Sequence, residues 1–184
     1  GDVVATGVIP AGTYVSNSEL TLNNAVLDGK VTKTGDVTLA GETQFVSEGA
    51  LEVTGTLTIK SDAKVDLSKV TAKGAIVDER AETATSDVVA LLKNSSDVTV
   101  QKATVDNTVT VTGKKLTVVG VLTTGTTLPT ATATEISAAS VDASAATSVD
   151  ADALTKLLGW AKAVTVDDVT VGSSVTVDEG KTLV

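Results

Sequence analysis

The sequence predicts an all-β fold, a β-solenoid of short strands with one or two short capping helices. Three observations predict it. Valine and threonine supply 31 and 32 of the 184 residues, and β-branched side chains suit a pleated, half-buried surface better than a helix. The only aromatic residues are Tyr14, Phe45 and Trp160, so the core is built from Val, Leu, Ile and Ala and has to be thin. Strand-and-turn segments also recur along the chain, and internal repetition is the sequence signature of stacked architectures.

The clearest repeat pairs residues 97–118, DVTVQKATVDNTVTVTGKKLTV, with residues 164–184, VTVDDVTVGSSVTVDEGKTLV. Val98-Thr99-Val100 falls on Val164-Thr165-Val166, and Val109-Thr110-Val111 on Val175-Thr176-Val177. After one inserted residue, Gly113-Lys114 and Leu116 fall on Gly180-Lys181 and Leu183. A weaker copy occupies residues 19–39, where Ala25 and Asp28 match Ala103 and Asp106. Upstream of the two strong copies, Ser86 to Asn94 and Asp152 to Gly159 read as short amphipathic helices. Ser86 and Asp150 or Asp152 are the candidate N-caps, and Val149, Ala153, Leu154, Leu157, Leu158 and Ala161 share one apolar face. The first copy has no such helix, and Pro10 and Gly12 interrupt its approach.

Within the copies, the pattern predicts strands at Val98 to Val100, Ala103 to Val105, Val109 to Val111 and Leu116 to Val119. The beat continues upstream at Phe45-Val46, Leu51 to Val53, Leu57 to Ile59, Val65 to Leu67 and Ala75 to Val77. Asp28-Gly29, Asp106-Asn107, Gly113 and Gly172 to Ser174 supply turn chemistry between them. Roughly three strands with their turns make a coil of about 18–25 residues. Two stretches break the beat: Asp78 to Thr85, and the Ala/Thr/Ser-rich passage Gly125 to Thr147, within which Glu135-Ile136-Ser137 reads as a further strand. The expected organisation is one repetitive β domain over residues 1–184, with internal units near 1–84, 85–147 and 148–184. An antiparallel β-sandwich is the alternative, because many short strands with regular turns also fit it.

A short helix, then strand, turn and strand, then a closing G-K-x-L resembles the opening of right-handed parallel β-helix modules in bacterial cell-surface, adhesin and surface-layer proteins. The residues that carry the likeness are Val88 to Lys93 with Val98 to Val118, and Leu154 to Leu158 with Val164 to Leu183. The resemblance implies a helix covering one end of a stack of strands, and an extracellular or cell-surface setting. Two helices at close spacing depart from that pattern.

Composition excludes several chemistries. There is no Cys, His or Met, which removes disulfides, thiol nucleophiles, imidazole bases and most transition-metal sites. The net charge of −9 is spread along the chain and repels polyanions, so nucleic acid is not an expected partner. No run of 18 apolar residues offers a membrane span. The adjacent acids Asp78-Glu79, Asp167-Asp168 and Asp178-Glu179 point to opposite faces of a strand, and we read them as solvated edges rather than a catalytic carboxylate pair. Arg80, the single arginine, reads as a surface ion pair or a contact at the start of the helix. Oxygen-ligand calcium chemistry lacks both the EF-hand loop and the β-roll repeat, and Asp150 and Asp152 are accounted for by helix capping. The threonine runs 54–58 and 130–134 do not recur at one fixed coil period, which argues against an ordered-water array. Asn94-Ser95-Ser96 matches a glycosylation sequon.

The expected function is therefore a non-enzymatic extracellular structural or adhesive module of a bacterial surface protein, with no catalytic, metal or cofactor site. Its expected partners are other surface-protein subunits or host and matrix molecules, glycans among them, without membrane insertion. A carbohydrate-binding or polysaccharide-processing β-helix is the alternative. The closing GKTLV stops where its counterpart runs on through Val118, Val119 and Gly120, so the chain is expected to continue beyond Val184.

Overall fold

A computed structural model describes residues 2–167 and 169–184. The chain divides into two compact units, the first comprising Gly1–Ala81 with Lys93–Thr99, the second Glu82–Leu92 with Val100–Val184.

The first unit contains β1 (Val3–Val15), β2 (Leu20–Thr34), β3 (Val37–Val53), β4 (Leu57–Ile59), β5 (Val70–Ala72), β6 (Ile76–Asp78) and most of β7 (Asp97–Val100). Its pairing runs β1-β2-β3-β4-β6-β7, with β5 on β3, and every pair is parallel. Leu20 pairs with Val37, Val37 with Leu57, Leu57 with Ile76 and Ile76 with Val98, so one coil follows the next every 17 to 22 residues. Parallel neighbours of this kind need a connection back to the starting edge, which the remainder of each coil supplies. The fold is a parallel β-helix, and the antiparallel sandwich is excluded.

Alternation along each strand sorts the residues into columns. Leu22, Leu39 and Ile59 are stacked in register and fully buried, as are Val31, Leu51 and Val70. Two charged residues occupy such inward columns. Asp78 follows Ile59, and Lys33 lies between Tyr14 and Val53. Lys33 lays its stem in the core and donates from its ammonium group to the carbonyls of Ser16, at 3.0 Å, and Thr34. The Val65 to Leu67 segment is not a strand. Asp66 accepts from the Ser68 amide and caps a 3-10 turn at Leu67–Lys69 instead.

The second unit holds most of α1 (Thr85–Asn94), followed by β8 (Ala103–Val105), β9 (Lys115–Thr124), β10 (Ile136–Ala143), α2 (Ala151–Trp160), β11 (Ala163–Val166) and β12 (Thr182–Leu183). Its order is β9-β10-β11-β12 with β8 on β9, again all parallel. Val109 and Val111 are buried but the segment forms no strand; the exposed Thr110 between them makes an isolated bridge to Thr130. Asp150 is the N-cap of α2, accepting from the Ala153 amide at 2.8 Å. Helix α1 starts at Thr85, so Ser86 lies inside it and the Ala84 carbonyl receives the first amides, those of Asp87 and Val88.

The shared Gly-Lys of the two strong repeats has a common structural use. Gly113 and Gly180 take φ of 75° and 81°, a left-handed turn that a β-carbon would strain. The following lysines then reach back to the preceding helix ends, Lys114 to the Leu92 carbonyl and Lys181 to the Leu158 carbonyl. These carbonyls belong to the unpaired last turn, at the negative end of the helix dipole. Lys181→Ala is expected to cost about 1 kcal/mol of stability, and Lys181→Arg to restore most of it, as read from thermal unfolding.

Candidate functional site

Asp78 and Arg80 meet in the interior of the first unit. Strand β6 ends with Asp78 facing inward, where the preceding coils carry Leu or Ile. The carboxylate is fully buried. Arg80 clamps it with Nε to Oδ1 at 2.9 Å and Nη2 to Oδ2 at 2.8 Å, and the Arg80 amide adds a bond to Oδ1 at 3.1 Å. A planar guanidinium matches a carboxylate in this two-point way. The solvated-edge reading of Asp78 and the surface reading of Arg80 are therefore corrected. The residue following a buried strand position can reach back only if the chain turns there, and the break in the beat at Asp78 makes that turn. Glu79 points the other way and pairs with Lys60 at 3.0 Å. Of the other acid pairs, Asp178 and Glu179 are exposed, as is Asp167, while Asp168 lies outside the described residues.

Several exposed or half-buried carboxylates are locked into turns. Asp66, Asp106 and Asp142 each accept from both the hydroxyl and the amide of the residue two further on, namely Ser68, Thr108 and Ser144. The hydroxyl bond first, and the amide bond second, hold all three below the usual carboxylate range. Glu135 is lowered by the amides of Thr132 and Gly113, which it joins across a coil. Glu52 is lowered mainly by Lys30 and secondarily by Lys73, at 3.1 and 3.5 Å. In each case the folded state favours the ionised form. The stabilisation is therefore present above the unfolded carboxylate range and is lost as pH falls through the lower folded values. Titration from neutrality is expected to leave the melting temperature flat until about pH 5 and then lower it. A melting temperature that rises below that point would contradict these turns.

The concave surfaces are shallow. A cleft of about 450 Å³ is lined by Ala146 to Asp150 with Asp167, Val169 and Thr170, and Asp150 there is already committed to the α2 amide. A second cleft, of about 460 Å³, runs from Ser137 to Ala139 and from Gly159 to Lys162 and carries Lys181. Among the described residues, no three Asp or Glu side chains converge as a metal cage would require. Trp160 is buried, with Nε1 donating to the Thr132 carbonyl at 2.8 Å, and the Tyr14 hydroxyl donates to the Pro10 carbonyl at 2.7 Å. Neither ring presents a free stacking face with an unused polar tip. The Asn94 amide of the sequon donates to the Leu67 carbonyl at 2.8 Å.

The threonines have no fixed coil period, as their spacing in the sequence predicts, although some meet in register. Thr21, Thr38, Thr58, Val77 and Thr99 form one outward column. The coils differ in length, so the column has no fixed period along the chain. Thr38 is nonetheless covered, with its hydroxyl donating to Glu19. Among the described residues, no helix is long and apolar enough to cross a membrane. No protein family, curated protein or solved structure matches the chain.

Proposed function

We propose that the chain is a non-enzymatic structural or adhesive module of a bacterial surface protein, exposed outside the cell and contacting other subunits or matrix molecules. The observation that carries this reading is the register-stacked column structure. Successive coils present polar side chains tied coil to coil by ion pairs such as Lys30–Glu52–Lys73 and Lys60–Glu79. Such a surface repeats laterally and does not gather acid, base and nucleophile around one point, as a hydrolase or lyase needs. The absence of Cys and Met from the sequence also suits an oxidising exterior.

A glycan array and a polysaccharide-cleavage panel test the reading together. Neither is expected to give a specific signal. Glycan cleavage that disappears in Asp150→Asn or Asp167→Asn, with the fold intact, would replace the scaffold reading by the polysaccharide-processing one. Protection of the protein from added protease in intact source cells would overturn the surface location.

A further inference from the structure

Between Thr130 and Ile136 the chain crosses the end of α2 before it joins a strand. Thr130 is still bonded to the neighbouring coil through Val109 and Val111, and Ile136 begins β10. In between, Ala133 lies directly against the helix, where a β-carbon placed on Gly159 would stand 2.6 Å from the Ala133 β-carbon. Both main-chain groups of Thr132 are held by side chains. Its carbonyl accepts from Trp160 Nε1 at 2.8 Å, and its amide donates to Glu135 Oε2 at 2.7 Å. The other carboxylate oxygen, Oε1, accepts from the Gly113 amide at 2.8 Å. Gly113 is the left-handed residue from which Lys114 reaches the Leu92 carbonyl at the end of α1. One carboxylate therefore stands between the polar contacts at the ends of both helices.

We infer that Glu135 is an acid-released latch: ionised, it ties Thr132 down over the end of α2, and protonated it lets that segment lift and admits water to Trp160. Its two partners are both N–H donors, and an ionised carboxylate accepts at each oxygen. A protonated carboxyl carries a hydrogen on one oxygen, so one of the two amides then faces a donor and loses its bond. Trp160 is the group released, because its indole bond ends on the carbonyl of the same Thr132. Neighbouring charges do not offset the change. Lys114 is committed to the Leu92 carbonyl, and Lys115 on β9, Asp152 and Lys156 on α2 and Lys162 just beyond it are exposed. Among the described residues Glu135 makes no ion pair. The Thr132 amide first, and the Gly113 amide second, keep its carboxyl below the usual range. The latch is thus closed above the unfolded carboxylate range and opens as pH falls through the lower folded value.

Acrylamide quenching of the sole tryptophan, followed together with circular dichroism from about pH 6 to about pH 3, tests the proposal on the 184-residue chain. Quenching of the parent is expected to rise about twofold or more below about pH 4, while the strand signal holds. Glu135→Gln has a single acceptor oxygen. Its tryptophan is expected to be quenched at neutral pH as the acidified parent's is, and to respond little to pH. Asp106→Asn removes the carboxylate of a different turn and is expected to leave the parent's acid response unchanged. Quenching that stays low until the circular dichroism signal collapses, a Glu135→Gln protein that follows the parent at every pH, or an acid response abolished by Asp106→Asn would each overturn the latch. The scaffold reading does not depend on it.

Discussion

Replacing Arg80 by alanine is expected to lower the free energy of unfolding by about 3–5 kcal/mol, the largest effect of any single polar substitution in the first unit. The cause is Asp78, whose carboxylate is fully buried and accepts from both the Nε and Nη2 prongs of the guanidinium fork. Truncating the arginine leaves a charge in an interior column that elsewhere holds Leu22, Leu39 and Ile59. Lysine is a poor substitute, because a point charge does not reproduce the two-point contact. Replacing both partners has a different expected result. Asp78→Ile with Arg80→Leu continues the apolar column, and its stability is expected to fall within about 1 kcal/mol of the parent or above it, because removing both charges also removes their desolvation cost. Denaturant unfolding of the two single variants and the double variant checks this. If Arg80→Ala cost less than about 1 kcal/mol, the pair would be behaving like a solvated surface bridge.

Trp160→Ala carries the largest expected effect in the second unit, a loss of about 3–5 kcal/mol. The ring is 2% exposed, at the end of α2 beside Leu157 and Leu158, and is the only large aromatic group in an otherwise aliphatic core. Its indole nitrogen is bonded to the Thr132 carbonyl, so Trp160→Phe separates two contributions. Phenylalanine keeps most of the apolar burial and is expected to cost only about 1–2 kcal/mol, mainly for the lost bond and the unfilled volume. Because Trp160 is the sole tryptophan, the parent's own fluorescence reports unfolding of this region, and circular dichroism serves for the variants.

The sequence made some of this architecture legible, for identifiable physical reasons. The 66-residue offset between Ser86 and Asp152 placed both helices, because a helical apolar stripe and a strand alternation differ in period. Short strands such as Ala103–Val105 and Leu57–Ile59 were legible from branched residues bounded by turn formers. Parallel against antiparallel was not, since Val98 and Val100 face inward in either arrangement. The repeat exposed Gly113-Lys114 and Gly180-Lys181 but not their use, which depends on where the helix carbonyls end. The similar separations, 22 residues from Leu92 to Lys114 and 23 from Leu158 to Lys181, were the available signal. Asp78 was hidden more deeply. A charged residue at the end of a strand reads as solvent-facing until register places it beside Ile59. The threonine column was hidden for the same reason: unequal coils bring Thr38 and Thr58 together without a repeating interval.

The parallel coil stack is tested most directly by nuclear Overhauser contacts between backbone protons in an isotopically labelled sample. Successive strands are expected to show contacts linking Val37 to Leu57, Leu57 to Ile76 and Ile76 to Val98, advancing together along both chains as parallel neighbours do. Contacts in which one partner advances while the other retreats, with close α-proton pairs across those strands, would contradict the stack and with it the columns on which the account rests.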